Sequence, residues 1–313
     1  MGEWSKKVGE AGEGIASEFL RMIGWGAAQH GVELPCVRSE AHKVSDSGRR
    51  THGIDYLFPY RSPLVDGIGQ NLVVSVKFSV EPYHKKNPRK VFFEHFTDLA
   101  HTLECFKNSE ARRELSKTVP GVSRTQDIGV LLWINNDKQG NGDVIGLLHK
   151  VNLPETLIYE AIYVVDNKRA QFVFDSVNFA RHIANGCDVT FFYADTGKNV
   201  NPLSKVNHGL LLPVEYVNSS VLALRLADKA SPKRVLLLST LETFSEDGLK
   251  RLLGLAQSLS QDWCSKVILA FPDYDPLNHS NVVQTAKACF PSGNFVDGIE
   301  VDCYDEDFRT LRH

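Results

Sequence analysis

Two short apolar runs within the first 80 residues each carry one charged side chain, and this pair of charges constrains the fold most strongly. Asp55 stands inside Ile54–Phe58, and Lys77 stands near the end of Leu72–Phe78. Both runs are rich in β-branched and aromatic residues, which predicts two strands. A lone charge in an apolar strand is costly to bury without a partner. We therefore expect the two charges to meet at one site, with a metal or an anionic ligand.

The length and composition indicate a globular protein with more than one domain. The chain has 313 residues, 42% hydrophobic and 23% charged, with a net charge of −3. These values exclude a disordered chain, a coiled coil and a globally basic nucleic-acid binder. No apolar run reaches the ~18 residues that span a bilayer, and the first residues lack an apolar signal core. The six scattered cysteines predict reduced, mostly buried thiols, so we expect a soluble, cytoplasmic protein.

Hydrophobic periodicity predicts an α/β chain of two domains. Apolar spacing predicts helices over about 5–23, 92–116 and 246–263, whereas residues 25–52 lack a clear period and are interpreted as loop-like. Residues 159–165 and 170–174 flank a turn-like Asp-Asn-Lys-Arg sequence, which predicts a β-hairpin. Runs at 235–238 and 267–271 flank the last helix and predict a parallel βαβ unit. The domain boundary is placed after residue 185, giving domains 1–185 and 186–313.

Three motifs in order along the chain resemble the PD-(D/E)XK, or restriction-endonuclease-like, nuclease superfamily. Gly9–Ala16 reads Gly-x-x-Gly-Glu-x-x-Ala on the first helix, Gly53–Leu57 reads Gly-x-Asp-Tyr-Leu, and Val74–Lys77 reads Val-x-Val-Lys. The resemblance covers about residues 5–135, and the first motif resembles Holliday-junction-resolvase-like members. The whole chain is also similar to the nuclease subunit of a bacterial two-gene anti-phage defence system. The implied fold is a mixed sheet flanked by helices in 1–185. The strand and helix signals of 186–313 add an α/β domain, which we interpret as a domain for a partner or for specificity.

The resemblance also implies a role for each motif residue. Asp55 and Glu13 would bind the metal together with the Val76 carbonyl, and Lys77 would orient or activate the attacking water. Glu10, about one helical turn before Glu13, could take its place. One or two Mg²⁺ ions, with Mn²⁺ as a possible substitute, suit hydrolysis of a phosphodiester held by carboxylates.

Ser75 departs from the family pattern, which usually has an acid at that position. Three outcomes stay open. The acid has moved to Glu94 or Glu81; or the Ser75 hydroxyl suffices as a catalytic group beside the other ligands; or the site is inactive and binds nucleic acid or a partner subunit without cutting. Retention of two charges within apolar strands disfavours the last outcome.

A local concentration of positive charge favours nucleic acid as the substrate. Residues 38–90 hold ten basic and five acidic residues in a chain of negative net charge. Such a patch can pair with phosphates, and it makes binding salt-dependent. The residues predicted to bind nucleic acid are Arg49, Arg50, His52, Lys85, Lys86, Arg89 and Lys90.

A zinc site is not favoured by the sequence. His30, Cys36, His42 and His52 carry suitable side chains, but their spacing is irregular and lacks paired ligands.

The motifs and the resemblance together indicate a Mg²⁺-dependent endodeoxyribonuclease. The resemblance further implies that it acts on DNA in anti-phage defence, within a hetero-oligomer that includes a companion protein subunit. One alternative is a weak or inactive nuclease-fold module that binds nucleic acid or a partner. Another is a regulatory α/β protein that binds a small molecule through residues 186–313.

Overall fold

A computed structural model describes residues 2–43, 47–83, 87–136, 142–148, 151–228, 233–260, 263–290 and 293–305. The chain forms two compact units, and each contains segments from separate parts of the sequence. Unit 1 comprises Met1–Ala170, Thr196–Lys205 and Pro213–Asn218, and unit 2 comprises Gln171–Asp195, Val206–Leu212 and Ser219–His313. The predicted boundary after residue 185 falls inside the first segment of unit 2. Within the described part of the chain, no helix combines the length and the apolar character needed to cross a membrane.

Unit 1 is built on a five-stranded mixed sheet in the order β1-β2-β3-β4-β5. The β1/β2 and β2/β3 pairs are antiparallel, and the β3/β4 and β4/β5 pairs are parallel. Its elements in chain order are α1 (Gly2–Met22), β1 (Gln29–Pro35), β2 (Thr51–Arg61), β3 (Ile68–Ser79), α2 (Pro88–Phe106), α3 (Glu110–Lys117), β4 (Arg124–Asn135) and β5 (Ala161–Val165). The predicted mixed sheet flanked by helices is confirmed.

The helices of unit 1 cover this sheet with the apolar faces that their sequences predict. α1 buries Ala16 and Leu20 at helical spacing. α2 begins with Pro88 after Asn87, whose side chain accepts a hydrogen bond from the Lys90 amide and so caps the helix. Its aromatic and aliphatic residues join one core cluster with β3 and β4. The central strand β4 is buried almost throughout, as expected for a strand covered on both faces.

Two local predictions are wrong. Residues 25–52 are not entirely loop-like, because Gln29–Pro35 forms the edge strand β1, with Gly31 at φ +61°. The predicted hairpin is absent from the described residues 151–183, because α4 (Asn167–Ile183) follows β5 directly. Asp166 accepts a hydrogen bond from the Arg169 amide at the start of that helix. Asp and Asn favour helix caps as well as turns, so the Asp-Asn pair was interpreted as a turn although it begins a helix.

Unit 2 contains a six-stranded sheet in the order β11-β10-β9-β8-β6-β7. Its elements are β6 (Asp188–Phe192), β7 (His208–Gly209), β8 (Val221–Ala227), β9 (Arg234–Thr240), α5 (Glu246–Ser260), β10 (Lys266–Phe271), α6 (Pro276–Lys287), α7 (Gly293–Asp297) and β11 (Ile299–Cys303). β9 and β10 are parallel and are connected by α5, so the predicted βαβ unit is confirmed. The second α/β region of the predicted fold is therefore present.

All six cysteines are free thiols, as predicted. Their burial differs from the expectation, because Cys105 is buried, Cys289 is exposed and the other four are half-buried.

Candidate active site

A cleft of about 820 Å³ in unit 1 brings together charged residues from all three motifs. α1, the middle of β2, the end of β3 with the segment after it, and the first half of α2 contribute to its wall. Glu13, Asp55, Val76 and Lys77 all line this cleft. The two charges that stand out in the apolar strands therefore share one site, together with the acid from the first helix.

Asp55 is held where β2 and β3 separate. The last paired residues of these strands are Tyr56 and Val74, so Asp55 and Val76 lie just beyond the ladder. The Asp55 carboxylate is exposed, and its Oδ2 accepts a hydrogen bond from the Val76 amide at 2.6 Å. This contact uses a backbone donor of one strand to orient the acid of the other. Oδ1 is the second oxygen donor that Asp55 presents.

Glu13 reaches the cleft because α1 packs closely on β3. A Cβ atom at Gly12 would lie 2.5 Å from the Phe78 Cβ, so only glycine permits this approach. The Tyr56 hydroxyl also donates a hydrogen bond to the Glu13 carbonyl at 3.0 Å. The helix is thereby fixed to β2 beside Asp55. Gly9, the first glycine of the same motif, has open space at its Cβ position.

Lys77 has an ion-pair partner that the sequence analysis missed. Its Nζ lies 3.5 Å from Oδ2 of Asp98 on α2, and Asp98 also forms an ion pair with Arg49. Burial tends to raise the pKa of Asp98, but the hydrogen bond from Arg49 and the charge of Lys77 outweigh it and hold that pKa below its usual value. No local pattern marks Asp98, because its partners come from β3 and from the segment before β2.

Two acids of the cleft could take the role of the acidic residue that the family usually has at the position of Ser75. Ser75 itself is 8% exposed, whereas Glu81 and Glu94 are exposed and line the cleft. Glu94 lies on the regular helix α2, and Glu81 lies in the segment after β3. His95 also lines the cleft, and burial followed by the charge of Lys77 lowers its pKa to about 4. Its ring is therefore neutral at pH 7.

The predicted nucleic-acid-binding residues differ in their exposure to solvent. Arg50, Arg89 and Lys90 are exposed, while Arg49 is 17% exposed and ion-paired with Asp98. His52 is fully buried and so offers no surface to nucleic acid, which corrects the prediction for that residue. Lys85 and Lys86 lie outside the described residues.

The donor set of the cleft fits a divalent metal ion. The side chains of Glu13 and Asp55 and the carbonyl of Val76 are oxygen donors, and Glu81 and Glu94 add two carboxylates. Hard cations such as Mg²⁺ and Mn²⁺ prefer such ligands.

The mixed sheet, together with the acids and the lysine where β2 and β3 part, defines unit 1 as a PD-(D/E)XK nuclease domain. A family model described as the GAPS4 protein PD-(D/E)XK nuclease domain matches residues 1–169. The chain belongs to this family, and the resemblance to the nuclease superfamily is confirmed. Comparisons with curated proteins and with solved structures find no significant match.

Proposed function

We propose that unit 1 hydrolyses phosphodiester bonds within DNA, with Mg²⁺ as the physiological metal and Mn²⁺ as a substitute. The observation that carries this proposal is the convergence of Glu13, Asp55 and Lys77, from three separate elements, on one cleft. Nuclease domains of this class typically use divalent metal ions, and the oxygen donors of this cleft suit one.

Each residue of the cleft has a distinct task in the proposed reaction. Asp55, Glu13 and the Val76 carbonyl hold the metal, and the Val76 amide keeps Asp55 oriented for that task. A divalent ion bound there offsets charge on the phosphate oxygens and lowers the pKa of water. Lys77 presents its ammonium group to the scissile phosphate and to the attacking water. Because Lys77 is ion-paired with Asp98, its ammonium group already lies beside α2.

Glu94 is proposed as the acid that compensates for Ser75. It lies on α2, which is anchored in the core by Phe92 and Phe96, so its backbone is fixed. Glu81 is exposed in the cleft as well, but it follows the end of β3 and is outside any helix or strand. A regular helix positions a ligand more accurately than a loop does.

Cleavage of closed circular plasmid tests the reaction directly. Wild-type protein with Mg²⁺ or Mn²⁺ is expected to nick or linearise the plasmid, while Asp55→Ala and Lys77→Ala leave it intact. Glu114→Ala, at an exposed residue of α3, is the matched control and should cut like wild type. Equal product from all four proteins would show that any cleavage arises elsewhere. Activity on linear DNA alone, or on RNA alone, would contradict the endonuclease and DNA parts of the proposal respectively.

An inactive module is the second candidate, and the substitution of the usual acid by Ser75 favours it. Such a module would bind DNA with an affinity that falls with salt, yet would release no product with any divalent metal. Binding by wild-type protein without cleavage would support this candidate over the nuclease.

We also propose that the nuclease acts in anti-phage defence together with a companion subunit. Similarity to the nuclease subunit of a two-gene defence system supports this role, and the residues beyond the nuclease domain provide α/β structure for a partner. Co-purification with the product of the adjacent gene, followed by plaque counts for cells expressing either gene or both, tests it. Protection by this chain alone would contradict the need for a companion.

A further inference from the structure

Two cysteines and two histidines of unit 1 converge at a second site that the nuclease reaction does not use. Cys36 follows β1, His42 lies in the connection to β2, His52 lies on β2, and Cys105 lies on α2. One sulfur or ring-nitrogen atom from each lies within 4.8 Å of the other three. Cys36 is half-buried and the other three residues are buried.

The distances between these atoms match the edges of a tetrahedral coordination shell. Zinc bonds of about 2.3 Å to sulfur and about 2.0 Å to nitrogen place sulfur and nitrogen ligands about 3.5 Å apart and two nitrogens about 3.3 Å apart. The Cys36 and Cys105 sulfurs each lie 3.5 Å from His42 Nδ1, and His52 Nε2 lies 3.4 Å from the same atom. All three distances agree with a shared central ion.

Hydrogen bonding alone does not account for this arrangement. Three polar atoms surround His42 Nδ1, yet a ring nitrogen has either one proton or one lone pair. It can therefore make one good hydrogen bond to one of the three. A cation at the centre interacts favourably with all four atoms at once, and two thiolates balance the charge of a divalent ion in this buried place.

The second ring nitrogen of each histidine already has the partner that a metal ligand needs. His42 Nε2 lies 3.1 Å from Oε2 of Glu104, and His52 Nδ1 lies 3.2 Å from the Thr102 hydroxyl. Thr102 donates its own proton to the Asp98 carbonyl, so its oxygen accepts from His52. A carboxylate or hydroxyl acceptor fixes the tautomer of a metal-bound imidazole in this way. The lone pairs of His42 Nδ1 and His52 Nε2 then face the centre that these two atoms share with the two sulfurs.

We propose that Cys36, His42, His52 and Cys105 bind one structural Zn²⁺ ion. Two sulfur and two nitrogen donors at tetrahedral spacing select zinc, and four protein ligands leave no open position for catalysis. A cluster of several irons does not fit ligand atoms that lie within 4.8 Å of one another. The ion joins the segment between β1 and β2 to α2, the helix that carries Asp98 and Glu94.

Zinc content of the purified full-length chain, prepared without chelators, tests the proposal. Wild-type protein is expected to hold about one zinc per chain, and Cys36→Ser and Cys105→Ser are expected to lose it. Cys289→Ser and His30→Ala are matched controls that should keep it, since Cys289 is exposed and His30 packs against Tyr56. Asp55→Ala should also keep the zinc, which separates this site from the metal of the cleft.

Measurements on wild-type protein keep the proposal testable if the cysteine variants fail to fold. X-ray absorption at the zinc edge should show two sulfur neighbours at about 2.3 Å and two nitrogen neighbours at about 2.0 Å. Protein produced with Co²⁺ in place of zinc should show the visible absorption of a tetrahedral thiolate site. A folded wild-type chain without zinc, a zinc bound by oxygen atoms alone, or a disulfide between Cys36 and Cys105 would overturn the proposal.

Discussion

Lys77 Nζ lies 3.5 Å from Asp98 Oδ2, and Arg49 donates a hydrogen bond to the other oxygen of the same carboxylate. Asp98 thus pairs with two cations, one on β3 and one just before β2. Without it, Lys77 and Arg49 would face each other across a partly buried space with no anion between them. This relationship links the proposed catalytic lysine to the packing of α2.

We predict that Asp98→Asn destabilises the protein by about 1–3 kcal/mol, because it leaves two partly buried cations without their charge partner. Urea unfolding at pH 7 measures the change in the free energy of unfolding. Glu114→Gln is the matched control, since it removes an exposed ion pair with Lys117 that stabilises by less than about 1 kcal/mol. Equal effects of the two substitutions would mean that Asp98 is no more than a surface charge.

The ionisation of Asp98 should also make the free energy of unfolding depend on pH. The pKa of Asp98 in the folded chain lies below its ordinary value of 3.8, so the folded state favours the ionised carboxylate. That stabilisation is fully present above the unfolded pKa and is lost as the pH falls through the folded pKa. The gap in unfolding free energy between wild type and Asp98→Asn should be constant from about pH 7 to 5 and narrow below about pH 4. A gap that widens on acidification would contradict the assigned direction.

Gly12 offers a test of how α1 places Glu13. Gly12→Ala inserts a methyl group 2.5 Å from the Phe78 Cβ, which should destabilise the protein by about 1–3 kcal/mol and lower plasmid cleavage by moving α1 off β3. Gly14→Ala is the control, because its Cβ position is open and alanine stabilises a helix by about 0.5–1 kcal/mol. Unfolding and cleavage are measured for both variants. Full activity in Gly12→Ala would show that this close packing does not position the acid.

The sequence predicted the parts of this site that reside in local patterns. An aspartate and a lysine within apolar strands are visible without a structure, and both line the cleft. The reasoning from burial fails for Asp55, however, because its carboxylate is exposed just beyond the β2/β3 ladder. The glycine motif on α1 also carries a local signal, and the structure gives its reason at Gly12. The order of the three motifs then led to the nuclease fold.

Long-range neighbours could not be predicted in the same way. Cys105 lies 63 residues from His42, with which it makes a contact of 3.5 Å, so no spacing motif links them. Asp98 looks like an ordinary polar position of an amphipathic helix until β3 and Arg49 are placed beside it. The edge strand β1 was missed because Gly31 interrupts its alternation. The contacts of Cys105 and Asp98 both depend on how α2 docks against the sheet.

Salt dependence tests the exposed basic residues beside the cleft. If Arg89 and Lys90 contact DNA phosphates, Arg89→Ala and Lys90→Ala should each reduce the slope of log affinity against log salt by about one. The affinity is measured by fluorescence anisotropy at several salt concentrations, with a divalent ion absent to prevent cleavage. Lys117→Ala, an exposed lysine of α3, should leave the slope unchanged. A similar loss in all three variants would indicate diffuse attraction and no defined DNA-binding surface.

The acid that replaces the missing family carboxylate can be identified by paired substitutions at Glu94 and Glu81. Both residues are exposed in the cleft, so each amide variant should fold normally. We expect Glu94→Gln to slow plasmid cleavage about 100-fold, because it removes a charged metal ligand. Even the loss of a group that hydrogen-bonds to a metal ligand typically costs about 10–100-fold. Glu81→Gln should change the rate less than about threefold.

Metal titration separates a ligand from a residue that only shapes the cleft. A ligand variant should require a higher concentration of Mg²⁺ for half-maximal cleavage, whereas a shape-determining residue alters the rate at saturating metal. Ser75→Glu, which restores the acid at its usual position on β3, should partly rescue Glu94→Gln if the two positions serve the same ion. Because Ser75 is only 8% exposed, this rescue requires the new carboxylate to reach the cleft beside Val76. Strong loss in Glu81→Gln with an unaffected Glu94→Gln would instead assign the compensating acid to the segment after β3.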